Sequence, residues 1–159
     1  MSEKDSIVIT GMARTPMGAF QGVLKDASCA QLGATAIRAA LERSWIEPES
    51  LREMIMGCVL PAGQGQAPAR QAALGADMPL SVCCTTVNKM CGSGMKAAML
   101  AHDLLLGGEE RILVSGGMES MTNAPICCRV PVLVCVSAMG KWSIICSSTD
   151  SRMPTTEGN

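Results

Sequence analysis

Aromatic residues are almost missing from this chain: Phe20, Trp45 and Trp142 are the whole set, and there is no tyrosine. A core must therefore be built from aliphatic residues, alanine and methionine, and thirteen methionines are available as flexible filler. There is no excess of either charge, since thirteen basic residues face fourteen acidic ones for a formal charge of −1. Without a basic stripe or interleaved aromatics, nucleic acid is set aside as a partner. No apolar run is long enough to cross a bilayer, so a membrane is set aside as well. The opening MSEKDSIVIT mixes charges of both signs and does not resemble a signal peptide, so a cytoplasmic location is the expectation. Histidine is reduced to His102 and no C-x-x-C pair occurs, so no metal is expected. In a chain with no export signal the nine cysteines read as reduced thiols.

What is present suits a globular domain, with 159 residues of which 48% are hydrophobic. Up to residue 125, strand-like and helix-like stretches alternate. Ser6 to Thr10 reads as a short strand, and a loop follows through Pro16 and Gly18. Leu32, Ala36, Ala39, Ala40 and Leu41 recur at helical spacing between Ser28 and Ser44, with Ser28 as N-cap. Met54 to Leu60 reads as a buried strand, Ala67 to Ala76 as a short helix, and Val82 to Val87 as a third strand. Asn88 to Gly94 then forms a tight turn. It leads into an Ala/Leu/Met helix closed by Gly107 and Gly108. Arg111 to Ser115 is a fourth strand. The alternation predicts an α/β fold of βαβ units with a mostly parallel sheet, layered by helices on both faces.

Cys91 is the residue that carries chemistry. A cysteine between a strand and a helix sits where helix N–H groups lack partners and the macrodipole is positive, which favours the thiolate. Gly92 and Gly94 leave room for a ligand to approach the backbone. The Cys91 N–H is placed to serve as one arm of an oxyanion hole, and a thiolate attacking a carbonyl is covalent acyl-transfer catalysis. The competing reading is that any one of nine cysteines is a small buried hydrophobe. Cys83 and Cys84, on the preceding strand, are assigned to the core on that reading.

The wording around the turn separates these readings. Val87-Asn88-Lys89-Met90-Cys91-Gly92-Ser93-Gly94-Met95-Lys96-Ala97 closely resembles the acyl-enzyme signature of thiolases. Arg14-Thr15-Pro16 with Gly18 and Phe20 resembles the family's early loop. Gly57 to Leu60 and Gly63 to Gln71 resemble its second strand and following helix. Gly116 to Met121 with Asn123-Ala124-Pro125 resembles the motif after its fourth strand. The likeness runs over residues 6–125, about three quarters of the chain. It implies a thiolase-like layered fold, here a partial N-terminal half. The implied activity is that of an acyl-CoA C-acyltransferase, most like the acetyl-CoA acetyltransferases. Cys91 would take an acetyl group from one acetyl-CoA and pass it to a second, giving acetoacetyl-CoA and CoA. The resemblance implies no cofactor, because the CoA thioesters are substrates, and it implies a homo-oligomer.

The family also uses a histidine base, a second catalytic cysteine and an asparagine-held water, in motifs such as G-H-P, C-x-G-G-G and N-E-A-F. None of these occurs here, and the loop domain expected from near residue 120 is not recognisable. His102 lies eleven residues past Cys91 on the same helix, roughly 16 Å along its axis, and reads as a surface or structural residue. From Ile126 the likeness stops. With synonymous codons chosen to suit, Ile126 to Pro131 read one base along gives L-L-P-R-A, the family's continuation. Residues 126–159 are therefore expected to be an aberrant, poorly ordered frameshift-like tail. The chain is expected to be a truncated thiolase with little turnover. The alternatives are a non-catalytic fragment that associates with intact thiolase subunits, or another thiolase-like condensing enzyme.

Overall fold

The computed structural model describes residues 7–108 and 112–125. The expected aberrant tail, 126–159, lies outside the described residues. The elements run in chain order as α1 (Cys29–Ser44), a 3-10 turn (Pro48–Ser50), β1 (Glu53–Gly57), α2 (Pro68–Gly75), β2 (Cys83–Val87), α3 (Ser93–Gly107) and β3 (Leu113–Gly117). The three strands form one parallel sheet in the order β2-β1-β3. Strands alternating with helices in a parallel sheet are the α/β arrangement expected from the sequence.

Local chemistry sets the helix ends. Ser28 closes a capping box on α1: its hydroxyl accepts from the Gln31 N–H at 3.2 Å, and the Gln31 carboxamide accepts from the Ser28 N–H at 2.8 Å. Helix α2 starts on Pro68, whose missing N–H costs nothing at that position, and the Ala69 N–H is satisfied by the Thr86 hydroxyl at 3.0 Å. Helix α3 ends on Gly108, with φ 76°, the left-handed glycine stop anticipated there.

β1 is the central strand, and its alternate residues face different layers. Met54, Met56 and Cys58 join a core with Ile37 and Leu41 of α1 and Ala69, Ala72 and Ala73 of α2. Gly57 faces the other way, onto the first turn of α3, so the α2 and α3 crossovers cover opposite faces. Methionine, alanine and cysteine fill the core, as the shortage of aromatics requires.

Three expectations need correction. Residues 7–10 are not a strand: Val8 and Ile9 stand exposed, and a cleft of about 600 Å3 lies between this segment and the free edge of β3. A β-rich run becomes a strand only where a ladder receives it. The strand expected to reach Leu60 stops at Gly57. The amides of Val59 and Leu60 turn to the Glu119 carboxylate instead of a neighbouring strand. Cys83, assigned to the core, is exposed, because β2 is an edge strand; Cys84 is half-buried against the core.

Candidate functional site

Cys91 sits in the turn 88–92 between β2 and α3, with its thiol free and exposed. The residue before it, Met90, takes the left-handed conformation with φ 49°, uncommon for a side chain of this size. Hydrogen bonds grip both ends of that residue. The Met90 N–H donates to Asn88 Oδ1 at 3.0 Å. The Met90 carbonyl accepts from the Ser93 hydroxyl at 2.6 Å and from the Ser93 N–H at 3.0 Å. The Ser93 hydroxyl in turn accepts from the Lys89 N–H at 2.8 Å. The first turn of α3 follows directly, with the Ser93 N–H taken by the Met90 carbonyl and the Lys96 N–H by the Gly92 carbonyl.

Glycines let this turn rest on the sheet. A Cβ on Gly57 would meet the carbonyl carbon of Ser93 at 2.5 Å and the Gly94 nitrogen at 2.6 Å, so the end of β1 touches the α3 backbone. A Cβ on Gly117 would lie 3.3 Å from the Cα of Gly94. The Cys91 turn is thus seated at the C-terminal edge of a parallel sheet, where α/β folds place their ligands.

Beside it lies a second polar group that the sequence did not announce. Glu119 accepts the Val59 N–H at 2.7 Å and the Leu60 N–H at 3.2 Å, and Asn88 Nδ2 donates to the Val59 carbonyl at 2.9 Å. Glu119 therefore holds the loop on which the Cys91 turn leans. The sulfurs of Cys29 and Cys58 lie 4.0 Å apart, and the Cys58 thiol reaches Glu119 Oε1 at 3.9 Å. Burial, then the neighbouring Cys58 and Glu119, pushes the Cys29 thiol up to about 12. Burial, then Glu119, pushes Cys58 up as well. Both thiols are held protonated, the reverse of what a nucleophile needs. The Cys29, Cys58 and Glu119 donor atoms lie within 4.8 Å of one another, close enough to share a metal ion. In their present state the thiols keep their protons and the carboxylate is engaged by two amides, which describes a hydrogen-bonded network.

His102 is exposed on α3 and pairs with Asp103 at 3.5 Å, in keeping with a surface residue. Among the described residues no other histidine exists to stand beside Cys91. Asn88 and Ser93 were visible only as letters of a motif. Glu119 was too, because about sixty residues separate it from the amides it holds.

The family model for the thiolase N-terminal domain matches residues 7–144. The chain belongs to the thiolase family. It is 51% identical over 123 residues to acetyl-CoA acetyltransferase B, mitochondrial, of Xenopus laevis, covering 77% of this chain and 29% of that protein. It is 54% identical over 119 residues to acetyl-CoA acetyltransferase 2 of Arabidopsis thaliana, covering 75% and 30%. It is 49% identical over 121 residues to the mitochondrial acetyl-CoA acetyltransferase of Mus musculus, covering 76% and 28%. The chain spans under a third of the length of these curated relatives. The thiolase match begins at residue 7 and takes in the turn, the Gly116 to Met121 motif and positions beyond Ile126. No helix among the described residues is long and apolar enough to cross a membrane.

Proposed function

We propose that this thiolase chain supplies the acyl-accepting nucleophile of an acetyl-CoA acetyltransferase, and that the nucleophile is Cys91. The observation that carries the reading is the exposed thiol on a hydrogen-bonded turn that leads directly into α3. The names of the relatives support acetyl-CoA as donor. The Cys91 thiolate attacks the thioester carbonyl, a new C–S bond forms, and the bond to CoA breaks with CoA leaving as its thiolate. A second acetyl-CoA, after giving up an α-proton that ends on the released CoA thiolate, attacks the acetyl-cysteine; the C–C bond of acetoacetyl-CoA forms and the Cys91 thiolate is released. This chemistry moves an acyl group without redox change, so the reading includes no cofactor, with CoA thioesters as substrates. With no imidazole beside Cys91 among the described residues, acylation is expected here without efficient turnover.

The same reading places the chain in an assembly, with copies of itself or with intact thiolase subunits. Met95, Met99 and Leu106 support this, exposed along α3 at 71%, 53% and 56%. A cytoplasmic location is part of the proposal, although several relatives are named as mitochondrial. The deciding experiment is incubation with acetyl-CoA followed by peptide mass spectrometry. An acetyl group on the Cys91 peptide is expected; equal acetylation of exposed Cys83 would overturn the assignment.

A further inference from the structure

We propose that Ser93, with Asn88, is a positioning residue for the thiolase nucleophile: the two side chains hold Met90 in its left-handed conformation and so aim Cys91. The inference rests on the reading of Cys91 as nucleophile. A methionine does not adopt φ 49° on its own account, and packing does not force it, since the residue is 67% exposed. The conformation must be held through the backbone, and every backbone hydrogen-bonding group of Met90 is taken. Asn88 Oδ1 accepts its N–H at 3.0 Å, and Ser93 donates to its carbonyl through both hydroxyl and amide, at 2.6 and 3.0 Å.

The placement of Ser93 is unusual for a serine in a first helical turn. Such hydroxyls commonly cap a helix N–H. Here the N-cap position is Gly92, with no side-chain cap, and the Ser93 hydroxyl points backward, donating to Met90 and accepting from Lys89. Ser93 is 4% exposed, so its hydroxyl cannot exchange these partners for water. Its backbone is pinned from below by Gly57. Asn88 ties the other end of the turn to Val59, and Glu119 holds Val59 and Leu60. The turn is therefore framed on both sides, and it presents the Cys91 thiol exposed.

The test uses the full 159-residue chain and limiting iodoacetamide, with labelling at Cys91 and Cys83 quantified by mass spectrometry. Cys83 is exposed and distant from the turn, so the Cys91/Cys83 rate ratio is an internal measure. Ser93→Ala is expected to lower that ratio about tenfold. Adding Met90→Gly to Ser93→Ala should restore most of it, because glycine accepts a positive φ without outside help. A purely structural role for Ser93 would lower the thermal midpoint, and Met90→Gly would not recover the ratio. If circular dichroism shows Ser93→Ala unfolded, Asn88→Ala at an exposed position carries the same expectation and the same rescue. An unchanged ratio in a folded variant, or a loss that Met90→Gly leaves in place, overturns the positioning role. A parent ratio at or below one refutes instead the reading of Cys91 as nucleophile.

Discussion

Replacing Gly57 by alanine tests whether the seat of the Cys91 turn is as tight as the structure requires. A Cβ at position 57 falls 2.5 Å from the Ser93 carbonyl carbon, 2.6 Å from the Gly94 nitrogen and 2.8 Å from Ser93 Cβ. Ordinary carbon contacts lie near ~3.5 to ~4.0 Å, so the overlap is roughly 1 Å. None of the three atoms is the tip of a flexible side chain. Relief has to come from moving the first turn of α3 or the end of β1. β1 is paired on both edges and buried along nearly its whole length, so the strain falls on α3. Overpacking of this kind costs about 1 to 3 kcal/mol, which the alanine's reduced unfolded-state freedom offsets by about 0.5 kcal/mol. The net, about 0.5 to 2.5 kcal/mol, corresponds to a fall of about 1 to 10 °C in the thermal midpoint for a chain of this size. The control is Gly107→Ala: no atom lies within 4 Å of that Cβ and the residue has no positive φ. It should be neutral or stabilise by about 0.5 kcal/mol. Thermal unfolding followed by circular dichroism reads the stability, and the Cys91/Cys83 labelling ratio reads the displacement. A Gly57→Ala chain as stable as the Gly107→Ala control, with its labelling ratio intact, would refute the close approach of β1 to α3.

Two further outcomes are expected. The Cys29 thiol is raised from its ordinary 9.0 to about 12, so the unfolded chain releases this proton at a lower pH than the folded one. The contribution of this thiol to stability is fully present below pH 9 and is lost as pH rises from there towards 12, at up to about 1.4 kcal/mol per pH unit. Urea unfolding at a series of pH values should show this decline and a shallower one for Cys29→Ser, whereas a flat profile in the parent would show that the thiol is not held protonated. The exposed Met95, Met99 and Leu106 on α3 predict self-association, or co-assembly with full-length thiolase subunits. Sedimentation velocity that finds a stable compact monomer, with no uptake into added full-length thiolase, would contradict it.

Features that depend on neighbours a few residues apart were readable along the chain. Ser28 and Gln31 are three residues apart, so the start of α1 was legible before any tertiary contact formed. The strand, turn and helix around Cys91 and the Gly107-Gly108 stop were legible for the same reason, and their ordered wording identified the family. Features that depend on packing between distant segments emerged only in the folded chain. Residues 7–10 have the composition of a strand, but β propensity acts only through a ladder partner, and none among the described residues receives them. Cys83 and Cys84 are adjacent and chemically identical, yet the pleat and the edge position of β2 expose one and half-bury the other. Glu119 reaches across about sixty residues to the Val59 and Leu60 amides, and Gly57 across more than thirty to the Ser93 backbone. Such contacts have no period and no spacing rule. They exist because β1 lies between β2 and β3 in a parallel sheet, which gathers the ends of all three strands around the turn that carries Cys91.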